Sequence, residues 1–299
     1  DGRHAEIAGE PLGKNHVRHF DKAGWLYFTR EEFDLLYPSY GDTYPTYNGA
    51  IGMTYEKGGI GAGRACFIDT GDTLLLKDRI LHHYTTSLST IEVASKNATR
   101  LTENFKKYYT DAAQNPRGQW KSFVLKYKSG DEYKIEQLTN LLQKHHITYG
   151  MAGQSGSYKA FSYDTGKEML FSLNSSDIVI SCYQPHSDMA IALLEPETKL
   201  NDSITYDITA WSLPLAYGIE AYALKTRLEP KSAYAHCGFT PIAPDPAVYA
   251  YVVRWKDARG PRFLSEIFKN GLRARLTSAP METEGQSFPA GSLILTRSD

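Results

Sequence analysis

Apolar positions change period several times along the chain, and each change marks an element. Residues 1–13 are polar and are expected to form a loose arm. The spacing then predicts a short helix over Lys14–Ala23, closed by Gly24. Trp25–Phe28 reads as a short buried strand. Thr29 with Glu32 fits a capping box for a brief helix carrying Phe33, Leu35 and Leu36. Tyr37–Asn48 (YPSYGDTYPTYN) has neither period and is irregular. Gly49–Glu56 is a compact apolar run ending in an acid. It predicts a buried strand whose last residue emerges at the C-terminal end, where open α/β sheets hold ligands. The glycines of KGGIGAG follow and predict a flexible rim loop. They match neither GxxxxGK[ST] nor an ordered GxGxxG.

Ile80, Tyr84, Leu88, Ile91, Leu101, Phe105 and Tyr108 recur at helical spacing and predict one long helix, running to about Tyr109. A Pro/Gly linker at Ala112–Gly118 marks a boundary. Beyond it, strand Trp120–Tyr127, a helix carrying Ile135, Leu138, Leu141 and Leu142, and strand Ile147–Met151 predict a βαβ unit, right-handed if its strands are parallel. Tyr158–Tyr163, Met169–Leu173, Asp177–Tyr183 and Met189–Leu194 read as strands. Pro214 opens a helix reaching Leu224, and the proline-rich stretch 229–247 is a second linker. The last segment predicts strand Val248–Trp255, then a helix with Pro261 at its start and Phe263, Leu264, Ile267 and Phe268 inward. Gly271 caps that helix. Strand Leu272–Leu276, a hairpin turning near Glu284-Gly285 and strand Ser292–Thr296 complete it. The expected organisation is α/β in three parts, 1–112, 119–230 and 246–299.

Composition narrows the function classes. Lys and Arg number 33 against 34 Asp and Glu, so no basic field points to nucleic acid. No apolar run reaches the roughly 18 residues of a membrane span. The chain starts at Asp1 without a Met or a signal peptide, and is expected to be a mature or truncated product. Cys66, Cys182 and Cys237 form no CxxC and read as buried or idle thiols. The 21 tyrosines suit either a tyrosine-rich β surface or a cleft for peptide or glycan.

Candidate chemistry is sparse in the residues themselves. His16 and His19 lie three apart on the first helix and could reach one metal, but no acid completes an HExxH or HxxE motif. His82-His83 and His145-His146 are adjacent and face apart on a helix. Cys182 with His186 four residues on could serve a glutaminase-like or amidase site, although Tyr183, Gln184 and Pro185 do not make a nucleophile elbow. Glu56, between a tyrosine-rich loop and a glycine-rich one, suits a general base in a cleft; pairing with Lys57 is the plainer alternative. Asn97-Ala98-Thr99 fits a glycosylation sequon, but it falls inside the predicted long helix.

The stretch LGKNHVRHFDKAGWLYFTREEFDLLYPSYGDTYPTYNGAIGMTYEKGGIGAG, followed by HHYTTSLSTIE, resembles the M14 zinc carboxypeptidases, most closely their large secreted Bacteroidetes members. Residues 119–230, above all QPHSDMAIALLEPETKLNDSITYDITAWSLPLAYGIEAYA, resemble the accessory domain that follows the peptidase there. The resemblance implies the C-terminal part of an M14-type mixed sheet with helices, then a separate α/β accessory domain of βαβ and hairpins. It implies Glu56 as catalytic base and Tyr37 or Tyr40 as the loop tyrosine that closes on a peptide substrate. It also implies zinc, held by an HxxE motif and a later His. These have no counterpart here, so this chain supplies no metal ligand of that set, and its ligands are expected upstream. This chain alone is expected to be inactive, and the whole protein periplasmic or extracellular. A non-catalytic peptide- or glycan-binding module on the same scaffold is the alternative.

Overall fold

Gly24 ends the first helix as its position predicts. It takes φ 69° and donates its N–H to Asp21 O, a left-handed cap that costs glycine least. The computed structural model describes residues 11–28, 38–58, 64–69, 71–198, 212–234, 245, 247–255 and 259–297. The expected arm before residue 11, the capping box at Thr29, Tyr37, glycines 59–63, Cys237 and most of the 229–247 linker lie outside the described residues. The chain divides into two compact units. One comprises 1–126 and 139–234, the other 127–138 and 235–299.

The helical layer of the first unit contains α1 (Gly13–Ala23), the single turn α2 (Thr43–Thr46), the antiparallel hairpin β1 (Ala65–Phe67) and β2 (Thr73–Leu75), α3 (Leu76–Lys96) and α4 (Ala98–Gln114). Three expectations fail here. Trp25–Phe28 is not a buried strand: Trp25 packs its ring on Phe20 and His82, and Leu26 and Phe28 stay exposed. Gly49–Glu56 is not a strand either. Residues 51–58 have no regular structure, because their partners are side chains of α1 and α3 and the loop around Asp42 rather than a neighbouring strand. The predicted long helix breaks at Asn97, so the sequon lies at the break and not within a helix; the Asn97 amide donates to Val93 O. The apolar stripe that predicted the helix is mostly open, with Ile80, Tyr84 and Ile91 each about 60% exposed (61%, 60% and 63%). The buried face of α3 carries His82, Ser89 and Val93 instead.

The sheet of this unit has six strands in the order β4-β7-β3-β8-β5-β6, with every neighbouring pair antiparallel. They are β3 (Ser122–Leu125), β4 (Gly150–Met151), β5 (Gly156–Ser162), β6 (Lys167–Leu173), β7 (Ile178–Ser181) and β8 (Ala221–Leu224). Strands β3, β7 and β8 are buried along their whole length, which is why their sequences run apolar without alternation. β3, the helix α5 (Glu132–Lys144) and β4 form the expected β-α-β order. Both strands oppose β7, so they are parallel to each other with β7 between them. Phe171 of β6 stacks on Tyr222 of β8 at 4.2 Å. Lys126, just past β3, donates to the fully buried Asp177 carboxylate at 2.5 Å and to Ser172 O at 2.8 Å. Two further readings are corrected. Met189–Leu194 lies in the helix α6 (Ser187–Leu194), and the helix expected to reach Leu224 is only the turn α7 (Leu213–Ala216) before β8.

In the second unit, β9 (Ala250–Val253) pairs with β13 (Leu293–Thr296), which pairs with β10 (Arg275–Leu276). The helix α8 (Arg259–Lys269) ends at Gly271 (φ 70°) as predicted, but buries Ile267 and leaves Phe263 and Phe268 exposed. Between β11 (Met281–Thr283) and β12 (Gln286–Phe288), Glu284 and Gly285 have φ of 49° and 72°, the two positive values that a two-residue hairpin turn of type I′ requires. The protein is thus α/β in the broad sense, mixing helices with several sheets. Among the described residues no helix is long and apolar enough to cross a membrane.

Candidate functional site

Helical spacing places Asn15, His16, Arg18 and His19 toward one side of α1, and Ser89 and Glu92 one turn apart on α3. The two sets interlock. His16 Nδ1 lies 2.8 Å from Ser89 Oγ, and Asn15 Nδ2 donates to the same oxygen at 2.8 Å. Glu92 accepts from Lys96 at 2.6 Å, from Asn15 and Arg18 at 3.0 Å, and lies 3.1 Å from His19 Nε2. These donors, Lys96 foremost, hold its carboxyl well below the usual range. Burial, with the charge of His19 beside it, lowers the pKa of His16.

The irregular segment bearing Glu56 is fastened to this joint by the residue before it. Tyr55 OH lies 3.0 Å from His16 Nε2 and 2.8 Å from Thr90 Oγ1, and its ring meets the His16 ring edge-on at 5.0 Å. Burial pushes the Tyr55 phenol up, with the Thr90 bond opposing. Glu56 itself is exposed. Lys57, next in sequence, lies near His82; burial first and the Lys57 charge second lower the His82 pKa.

A second fastening joins this segment to the tyrosine loop. Thr54 Oγ1 donates to Asp42 Oδ2 at 2.5 Å, and the Asp42 carbonyl sits where a side chain on Gly52 would begin. Tyr40, two residues before Asp42, is exposed at the surface. The loop is held from below by Tyr108 OH donating to Tyr47 O at 2.9 Å and Tyr109 OH donating to Asn48 O at 3.1 Å. Asp42 thus ties the chain segments of two sequence-predicted residues, Tyr40 and Glu56; Tyr37 lies outside the described residues.

The other candidates do not assemble. Both ring nitrogens of His16 are engaged by Ser89 and Tyr55, and that of His19 by Glu92, so the pair does not converge on a metal. Among the described residues no group of three or more His, Cys, Asp or Glu could hold a metal ion. The described residues therefore offer no ligand set for zinc. Cys182 is fully buried and its thiol is pushed up to about 12 by burial, far from a thiolate nucleophile. His145 and His146 are not on a helix as expected but in the turn after α5, where His146 has φ 56°; His145 reaches Tyr44 OH at 3.3 Å and the His146 ring lies 5.8 Å from that of His186.

Asp42, Tyr55, Ser89 and Thr90 escaped the sequence reading. Their distant partners lie between 12 and 74 residues away, and only the i, i+3 match of His16/His19 with Ser89/Glu92 hinted at a polar helix pair. The arrangement offers an exposed carboxylate on a clamped support beside an exposed tyrosine loop, which suits proton transfer to or from a bound water. No family model, curated protein or solved structure matches the chain.

Proposed function

We propose that the chain is the base-bearing part of an M14-type metallocarboxypeptidase, an enzyme that hydrolyses C-terminal peptide bonds. The observation that carries this reading is the Asp42 junction, which ties the tyrosine loop to the segment presenting Glu56. Glu56 takes a proton from the attacking water and returns it to the leaving amine, a role worth roughly 10²–10⁴ in rate. Tyr40, with Tyr37 as the other loop tyrosine of this reading, covers the C-terminal residue of the peptide. Zinc belongs to the reading through the M14 resemblance alone, with ligands expected in residues other than these. A periplasmic or extracellular location comes from the same resemblance.

The test compares a peptide with a free C-terminal carboxylate and the same peptide amidated, offered to the protein that contains this chain. The reading predicts release of the last residue from the free peptide and little from the amide. Equal binding of both with hydrolysis of neither would overturn it and favour a peptide-holding module on the same scaffold.

A further inference from the structure

The hydrogen bonds around Tyr55 favour one direction, since Met53 Sδ at 3.7 Å is a far weaker acceptor for its proton than Thr90 Oγ1 at 2.8 Å. Thr90 Oγ1 donates its single proton to Thr86 O at 2.9 Å, so toward Tyr55 it can only accept. Tyr55 therefore donates to Thr90, and its oxygen accepts from His16 Nε2–H. That leaves His16 Nδ1 without a proton. It accepts from Ser89 Oγ–H, while Ser89 Oγ accepts from Asn15 Nδ2–H. The protons then run one way through Asn15, Ser89, His16, Tyr55, Thr90 and Thr86, with Asn15 Nδ2 also reaching Ser89 O at 3.2 Å and Glu92 Oε2 at 3.0 Å. Ser89 is fully buried, and His16, Tyr55 and Thr90 are half-buried, so the links are partly shielded from bulk water. The chain starts on α1, ends on the α3 backbone, and passes through the residue that precedes Glu56.

From this geometry we infer that Tyr55 is a positioning residue for Glu56, holding the carboxylate by a one-way hydrogen-bond relay anchored in α1 and α3. The inference rests on the reading of Glu56 as the base. The relay requires neutral His16 with its proton on Nε2. The groups facing His16 agree with that state: His19 on α1 repels a second charge, and the hydroxyls of Tyr55, Ser89 and Thr90 are neutral. The Glu92 carboxylate is spent on Lys96, Asn15, Arg18 and His19. Protonating Nδ1 would leave the buried Ser89 hydroxyl proton without an acceptor.

The experiment uses the zinc-loaded enzyme that contains this chain, as wild type, Tyr55→Phe, Glu56→Gln and the double variant. Tyr55→Phe is expected to lower kcat roughly ten- to hundredfold with KM nearly unchanged, as a misplaced catalytic group does. In the Glu56→Gln background it is expected to cost nothing further, since its effect passes through that carboxylate. Thr90→Val, which removes the acceptor without touching Tyr55, is expected to lower kcat in the same direction, and Thr90→Ser to restore it. Nitrogen-15 NMR of the imidazoles is expected to show His16 neutral and protonated on Nε2 at neutral pH. An unchanged kcat in Tyr55→Phe, an equal loss in both backgrounds, or a His16 protonated on Nδ1 would overturn the inference. If Glu56→Gln itself retains full kcat, the reading of the base fails instead.

Discussion

A methyl group on Gly52 would begin 1.8 Å from the Asp42 carbonyl oxygen, a backbone atom that cannot swing aside. Gly52→Ala is therefore expected to push the tyrosine loop from the Glu56 segment and to destabilise the protein by about 1–3 kcal/mol, as overpacking does. Thermal unfolding checks the stability. A midpoint equal to wild type would show that the Asp42 contact is dispensable. The sequence marks Gly52 only as part of an apolar run, where it reads as a strand residue. What makes it glycine is the approach of a backbone 10 positions earlier, which no local pattern carries. Glu56 was legible because an acid closing an apolar run stands out. Tyr55 was not, because a tyrosine in such a run looks like core until its hydroxyl partners on two helices are known.

Helix α1 was read to within one residue because its closing glycine and its spacing agree. In α3 the spacing marked a helix but not its packed face: the apolar stripe is open, and the side packed on α1 is rich in hydroxyls, imidazoles and a carboxylate. AYAL was expected to be helical and forms β8, because burial between β3 and β5 outweighs the modest helix preference of alanine and leucine. The polar helix pairing makes stability depend on pH. Burial lowers the pKa of His16 and His82 here, and of His145 and His186 elsewhere in the unit. The unfolded chain then binds more protons than the folded one below about pH 6.5. This contribution is complete above the unfolded value of 6.5 and is lost as pH falls through the lowered folded values. Urea unfolding between pH 8 and 5 is expected to show stability falling on the acid side, with a shallower fall in His16→Gln. A flat profile would mean that these imidazoles are not held neutral by the fold.

At the scale of the molecule, the broad α/β class was legible in alternating strand and helix signals. The order β4-β7-β3-β8-β5-β6 was not, since it is set by which buried strands meet across distant parts of the chain. The same holds for the proposed site: the residues offer a candidate base and a tyrosine loop, and the fold joins the segments that carry them at Asp42. The most direct test of this account is the kcat for release of a C-terminal residue by the protein that contains this chain, compared with its Glu56→Gln variant. Loss of roughly 10²–10⁴ in kcat, with the protein still folded, is the predicted result. A Glu56→Gln variant that turns over at the wild-type rate, or a wild-type protein that releases no residue, would contradict it.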